Sequence, residues 1–293
     1  MAIRPGDYGK QNIRHTWVLF GIFFLIVCGL GWIISQVYGD PSFLLYAVIF
    51  SIAYSFISYF MSASIALSMA KAKQIKREDN AMLFDMVSRL SQVAKMPMPR
   101  LYITPEMQIN AFATGRNPNN AAVAVTEGAL QKLGEKELEG VLAHELSHVK
   151  NRDILVSTVA AVLAGVVTLV ADIFLRSQMF GGNRRDENGG MIFIFGIILS
   201  ILAPIGTMLI QLAISRKRES LADVSGVELA HNNAGLISAL EKIKNDNTPM
   251  LSAKSSTAHM WIENPFKGTS WKGLFMTHPP IEQRIAELKR MSV

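Results

Sequence analysis

Four long apolar runs limit what this 293-residue chain can fold into. They extend from Trp17 to Val37, Phe43 to Met69, Ile154 to Phe174, and Met191 to Ile214, the last interrupted by Pro204 and Gly206. Each approaches the roughly 20 residues that a helix needs to cross a bilayer. The first run follows a short polar leader carrying Arg4, Lys10 and Arg14. It is too long for the core of a secretory signal, and no small-residue cleavage site follows it. Tyr38-Gly39-Asp40-Pro41-Ser42 reads as a tight turn into the second run. That run is rich in small residues, Ser51, Ser55, Ser58 and Ser62 among them, which allow close helix approach in lipid.

Charge placement gives the runs a direction. The net charge is +6, a balance that nucleic-acid binding could explain, but the cations cluster beside the apolar runs and point to membrane topology instead. Lys71, Lys73, Lys76 and Arg77 close the second run, whereas the turn at residues 38–42 carries only Asp40. By the positive-inside rule, both ends of this hairpin face the cytoplasm. Arg216-Lys217-Arg218 closes the fourth run in the same way. The loop between runs three and four holds Arg176, Arg184 and Arg185 against Asp186 and Glu187. An apolar hairpin packed within the protein is therefore the alternative for that pair, although length favours spanning. Cys28 is the one cysteine, so a disulfide within the chain and a thiolate zinc site are both excluded.

Just before the third run stands Ala143-His144-Glu145-Leu146-Ser147-His148-Val149. Histidines at i and i+4 share one face of a helix and can grip one metal ion, with Glu145 at the edge of the same site. This is the H-E-x-x-H pattern of zinc metalloproteases. Gly134 precedes a first turn with Glu135 and Glu137, Leu138, Val141, Leu142 and Leu146 recur at helical spacing, and Lys150 and Arg152 sit at the end. The plain alternative is two ordinary histidines on an amphipathic helix. Upstream, Glu78 to Lys95 has helical periodicity. Leu101-Tyr102-Ile103, Asn110 to Thr114, and Ala121 to Thr126 read as strands, with turn chemistry at residues 115–120. Zinc proteases commonly hold substrate as an added strand on such a sheet edge; a purely structural sheet is the alternative.

A catalytic zinc usually takes three protein ligands and a water. His15, His231, His259 and His278 remain, as do carboxylates on helices. Glu219 and Asp223 lie at i and i+4 in a segment that reads as helical through Leu229. Glu219 could complete the site, and Asp223 could take a hydrogen bond from a ligand histidine. A salt-bridged surface after a basic triplet is the competing explanation.

Four motifs in register then extend over essentially the whole chain: Ile109 to Ala113, Val141 to His148, Glu219 to Asp223, and Thr277-His278-Pro279-Pro280 with Arg284. In these the chain resembles the HtpX family of bacterial membrane zinc metalloproteases, related to the eukaryotic CAAX-prenyl proteases. The resemblance implies one zinc ion per chain bound by His144, His148 and Glu219, with Glu145 catalytic. More weakly, it implies roles near the oxyanion or substrate for His278, Arg284 and Asn110. His278 also suits a helix start, with proline in the first turn, and Arg284 suits a surface charge. The implied fold is a multi-pass α-helical membrane protein with an α+β zincin-like (gluzincin) metalloprotease domain carrying a small β-sheet. Residues 1–77 would form a first membrane hairpin and 154–214 a second. Residues 78–153 would give the sheet and zinc-binding helix, and 215–293 the third ligand. The implied activity is cleavage of damaged or misfolded membrane proteins, or of unfolded polypeptides, at the inner membrane with the site facing the cytoplasm. The partners are then lipid and protein substrates, without nucleic acid. The alternative from another class is a non-catalytic membrane scaffold with a structural metal. A transporter is disfavoured because no ionisable residue sits centrally in the first two runs.

Overall fold

The computed structural model describes residues 5–180, 216–252, 254, 256–263, 265–266 and 279–291. The fourth apolar run and His278 lie outside the described residues, as do Trp271 and Phe275. The chain opens with α1 (Pro5–Tyr38) and α2 (Ser42–Met69), folded back on each other. Ser51, Ser58, Ser62 and Ala66 form the buried face of α2. Trp17, Leu25, Trp32, Tyr46, Ile52 and Phe56 point outward, each more than half exposed. On α2, mostly small residues inside and large apolar ones outside invert the pattern of a water-soluble helix. Among the described residues, these are the two helices long and apolar enough to cross a membrane.

The third apolar run behaves differently. It forms one helix, α6 (Asp153–Phe180). Its described first half is buried inside the protein. Leu155, Val159 and Leu163 pack on Leu19 and Phe23 of α1.

Four strands make the sheet: β1 (Lys73–Gln74), β2 (Arg100–Thr104), β3 (Ala111–Gly115) and β4 (Ala121–Thr126). The order is β1-β2-β4-β3. The β2–β4 pair is parallel and the other two pairs antiparallel. Gly115 sits at φ 139°, where a Cβ would also lie 2.5 Å from the Asn120 carbonyl oxygen. Only glycine can close the β3–β4 turn in this way. Helix α3 (Ala81–Val93) lies between β1 and β2, and after β4 come α4 (Glu127–Lys132), α5 (Glu135–Lys150), α7 (Arg216–Ala230), α8 (Asn233–Asn245) and α9 (Ile281–Lys289).

Alternation along the strands supplies two cores. Ala111, Val123 and Val125 share one core with Leu83 and Val87 of α3 and Leu142 and Leu146 of α5. Tyr102, Phe112 and Ala124 share the other with Leu67 of α2, Ala161 of α6 and Trp261. The sheet therefore bridges the ligand-bearing helices and the apolar hairpin. The Thr104 hydroxyl adds a tie, donating to the Ala70 carbonyl at 2.6 Å.

Candidate metal centre

Helix α5 has the start its sequence asks for. The Glu137 carboxylate accepts from the Gly134 N–H at 2.6 Å, satisfying a donor that the first turn leaves free. Leu138, Val141, Leu142 and Leu146 are buried. This fixes the rotation of the helix, so that His144 and His148 face α7 and α6. Helix α7 crosses α5 at the first histidine. A Cβ on Gly226 would lie 3.0 Å from the His144 nitrogen and 3.1 Å from its Cα. The two backbones meet there because residue 226 has no side chain.

That contact delivers Glu219 to the histidines. The Nε2 atoms of His144 and His148 are 3.2 Å apart. Glu219 lies 3.8 Å from the first through Oε2 and 3.6 Å from the second through Oε1. The three donor groups lie within 4.8 Å of one another.

Each imidazole is held from behind by a carboxylate. His144 Nδ1 is 2.9 Å from Asp223 Oδ1, and His148 Nδ1 is 3.0 Å from Asp153 Oδ2. Arg284 Nη2 also lies 3.4 Å from His144 Nδ1, but a guanidinium cannot accept a proton, so the Nδ1–H donates to Asp223. Both Nε2 atoms then present lone pairs to each other across 3.2 Å. A proton or a cation between them relieves that repulsion. Two nitrogens about 2.0–2.1 Å from a common tetrahedral ion would be about 3.3 Å apart, close to the observed spacing. The residues thus fit a divalent metal. Without one, burial alone would depress the His148 pKa, but the charges of Glu219 and Asp153 outweigh burial and raise it to about 9.

The two carboxylates are fixed in turn. Asp223 receives two bonds from Arg284, Nε to Oδ2 at 2.9 Å and Nη2 to Oδ1 at 2.6 Å. Burial opposes ionisation of Asp223, yet the guanidinium holds its pKa well below the usual carboxylate range. Arg284 is 2% exposed and also donates to the Ile262 carbonyl. It therefore stands behind His144, on the side away from the Nε2 atoms. Asp153 receives the Asn12 side-chain amide of α1 at 2.6 Å. The sequence had not singled out Asp153 or Asn12. The signal available was an acid five residues beyond His148, brought back onto it by a left-handed Arg152 at φ 60°.

Asn110 is buried. Its amide donates to Gln108 and to the Glu263 carbonyl, at 3.1 and 3.0 Å. The Ile262 N–H donates to the Ala111 carbonyl, and Trp261 stacks edge-on against Phe112 at 4.6 Å. Residues 261–263 thus cover one end of the outer edge of β3. His259 is buried against the Ser157 carbonyl, outside the donor cluster.

A sequence model of peptidase family M48 matches residues 77–292. Relatives named protease HtpX homolog align over nearly the whole chain. That of Tropheryma whipplei (strain Twist) is 42% identical, with 96% of each chain covered. That of Syntrophobacter fumaroxidans is 46% identical, covering 96% of this chain and 99% of the relative. That of Desulforapulum autotrophicum is also 46% identical, covering 96% and 90%. Among solved structures, the S. mikatae Ste24p crystal structure aligns with 96% of this chain at 17% identity and a TM-score of 0.48. This chain spans 66% of the length of that one.

Proposed function

The chain belongs to peptidase family M48 and is a metalloprotease, and on that premise we propose that it is a zinc-dependent endopeptidase of the inner membrane. The ligands are His144, His148 and Glu219, and they hold one zinc ion per chain. The observation that carries this reading is the convergence of the three donor groups within 4.8 Å, with each imidazole aimed by a carboxylate behind it. A His₂Glu set without thiolate suits catalytic rather than structural zinc. Bound zinc supplies a Lewis acid that polarises a peptide carbonyl and acidifies water. Glu145, next to the first ligand and 2% exposed, takes the proton from the attacking water and returns it to the leaving amine. Asp223 and Asp153 keep the Nδ1 protons in place, so that the Nε2 lone pairs stay directed inward. The extended substrate lies along the outer edge of β3, beyond the end covered by residues 261–263. The protease domain carries a gluzincin-like arrangement on a multi-pass helical scaffold.

Membrane placement is supported by the outward apolar faces of α1 and α2. A cytoplasmic orientation is supported by where the donor cluster is tethered. Asn12, near the start of α1, contacts Asp153, and Thr104 contacts the end of α2. The protease body thus sits at the end of the hairpin that carries Lys10, Arg14 and Lys71–Arg77, the cytoplasmic end by the positive-inside rule. Its substrates are damaged or misfolded membrane proteins and unfolded segments reaching that face. Family membership disfavours the scaffold alternative.

The test is Glu145→Gln in the full-length protein in detergent. Zinc content should stay near one per chain while cleavage of an unfolded protein substrate falls about 10²–10⁴-fold. Wild-type activity in that variant would overturn the assignment.

A further inference from the structure

We infer that Asn12, in the first membrane helix, is a positioning residue of the metal centre; the inference rests on the ligand set proposed above. Asn12 is 2% exposed, although it lies in the polar leader ahead of the first apolar run. Its Nδ2 donates to Asp153 Oδ1 at 2.6 Å and to the Asn151 carbonyl at 3.1 Å. Its Oδ1 accepts from Arg218 Nη1 at 3.2 Å. The amide orientation is fixed by these neighbours. Two acceptors lie on one side and a cationic donor on the other, and only one way of placing the amide satisfies all three.

Each partner leads to a ligand. The other oxygen of Asp153 holds His148 Nδ1 at 3.0 Å. Asn151 caps the end of the helix that carries both histidines. Arg218 immediately precedes Glu219 in α7. One carboxamide from a membrane helix therefore ties together the strand of chain after the second ligand and the helix bearing the third. Partners behind a metal-binding histidine set its tautomer and ring orientation. Asn12 acts one bond further out, by fixing the carboxylate that does so. Aspartate at position 12 would set a second carboxylate against Asp153 and remove both donors. An apolar residue would leave Asp153, Asn151 and Arg218 each one partner short in a buried space. The first apolar helix is accordingly part of the metal centre as well as an anchor.

The experiment measures zinc affinity of the full-length protein in detergent, with Zn²⁺ alone competed against a chelating dye. Asn12→Ala should weaken zinc binding about tenfold. In an Asp153→Ala background the same change should cost less than it does in the wild type, because most of its effect passes through that carboxylate. Thr16→Val is the control. Thr16 is equally buried one turn along α1, and its hydroxyl donates to the Asn12 carbonyl at 3.0 Å without touching Asp153. It should leave zinc affinity unchanged. Unchanged affinity in Asn12→Ala, or additive losses in the double variant, would overturn the inference. So would an equal loss in Thr16→Val, which would mean general packing. If Asn12→Ala does not fold, the near-isosteric Asn12→Asp carries the cycle and should lose at least as much affinity; unaltered binding there is equally fatal. His148→Ala separates the two readings. If that change leaves zinc binding intact, the ligand set is wrong. If it abolishes binding while Asn12→Ala has no effect, only the role of Asn12 falls.

Discussion

His144 and His148 face the same space, but they are held by different parts of the molecule and by different chemistry. Behind His144 stands Asp223, locked by two bonds to a buried arginine of α9. Behind His148 stands Asp153, held by a neutral amide from α1. The His144 side chain is fully buried, whereas that of His148 is 12% exposed. The first arm belongs to the packed interior and is a buried ion pair. Such a pair is sharply destabilised by losing one partner. The second arm runs to the membrane hairpin through a hydrogen bond from a neutral amide to a charged carboxylate, worth about 1.5–3 kcal/mol. One ligand is thus fixed by the fold of the protease body, and the other can be loosened without unfolding it.

The largest expected effect tests the first arm. Arg284→Met leaves Asp223 buried without its cation and should cost about 3–5 kcal/mol of stability. Thermal melting together with metal content will show it, with most zinc lost. Combining it with Asp223→Leu should restore much of the stability but not the zinc, because the pair is replaced by packing while His144 still lacks its carboxylate. If Arg284→Met melts like wild type, the contrast between the arms is void.

Gly226→Ala comes next and bears on both arms together. The added methyl meets the His144 backbone at 3.0–3.1 Å, so α7 must shift and carry Glu219 and Asp223 with it. Overpacking of this kind costs about 1–3 kcal/mol. Zinc affinity should fall further than stability does, as read by dye competition beside a melting curve. Equal melting and affinity to wild type would mean that the close approach is not required.

These effects also mark what the sequence could disclose. The bounds of α5, the three longer strands and the pairing of Glu219 with Asp223 were legible because period, capping and i, i+4 spacing are local. β1 was not, since two residues carry no period. Arg284 looked like a surface charge because a nine-residue helix shows cations on any face. Its burial depends on α7, brought against it by tertiary packing alone. The Asn12–Asp153 contact joins residues 141 positions apart, and no local rule connects them. The third apolar run was readable as apolar, but lipid-facing and core helices share that composition. Only packing reveals that its first half is interior, unlike α1 and α2.

A matched substitution compares the arms directly. Asp153→Asn keeps one acceptor oxygen, sets an amide N–H against either Asn12 or His148, and should cost about 1.5–3 kcal/mol. The same change at Asp223 strands the Arg284 guanidinium and should approach the larger loss given above. Urea or thermal unfolding of the two variants side by side checks the ranking. Equal losses would show that burial of the two carboxylates, rather than the charge of their partners, sets the scale.

The smallest effect separates the Asn12 route from general docking of the hairpin. Tyr54 of α2 donates its hydroxyl to the Val162 carbonyl of α6 at 3.0 Å, well along the helix from Asp153. It ties the same hairpin to the same helix that begins with the carboxylate behind His148. Tyr54→Phe removes that bond and little else, so stability should fall by about 1 kcal/mol or less and zinc affinity should not move. If affinity did fall, the hairpin would act on His148 by holding α6 as a whole. The second arm would then be a property of helix packing, and the contrast with the Asp223–Arg284 clamp would be one of elements rather than of individual bonds.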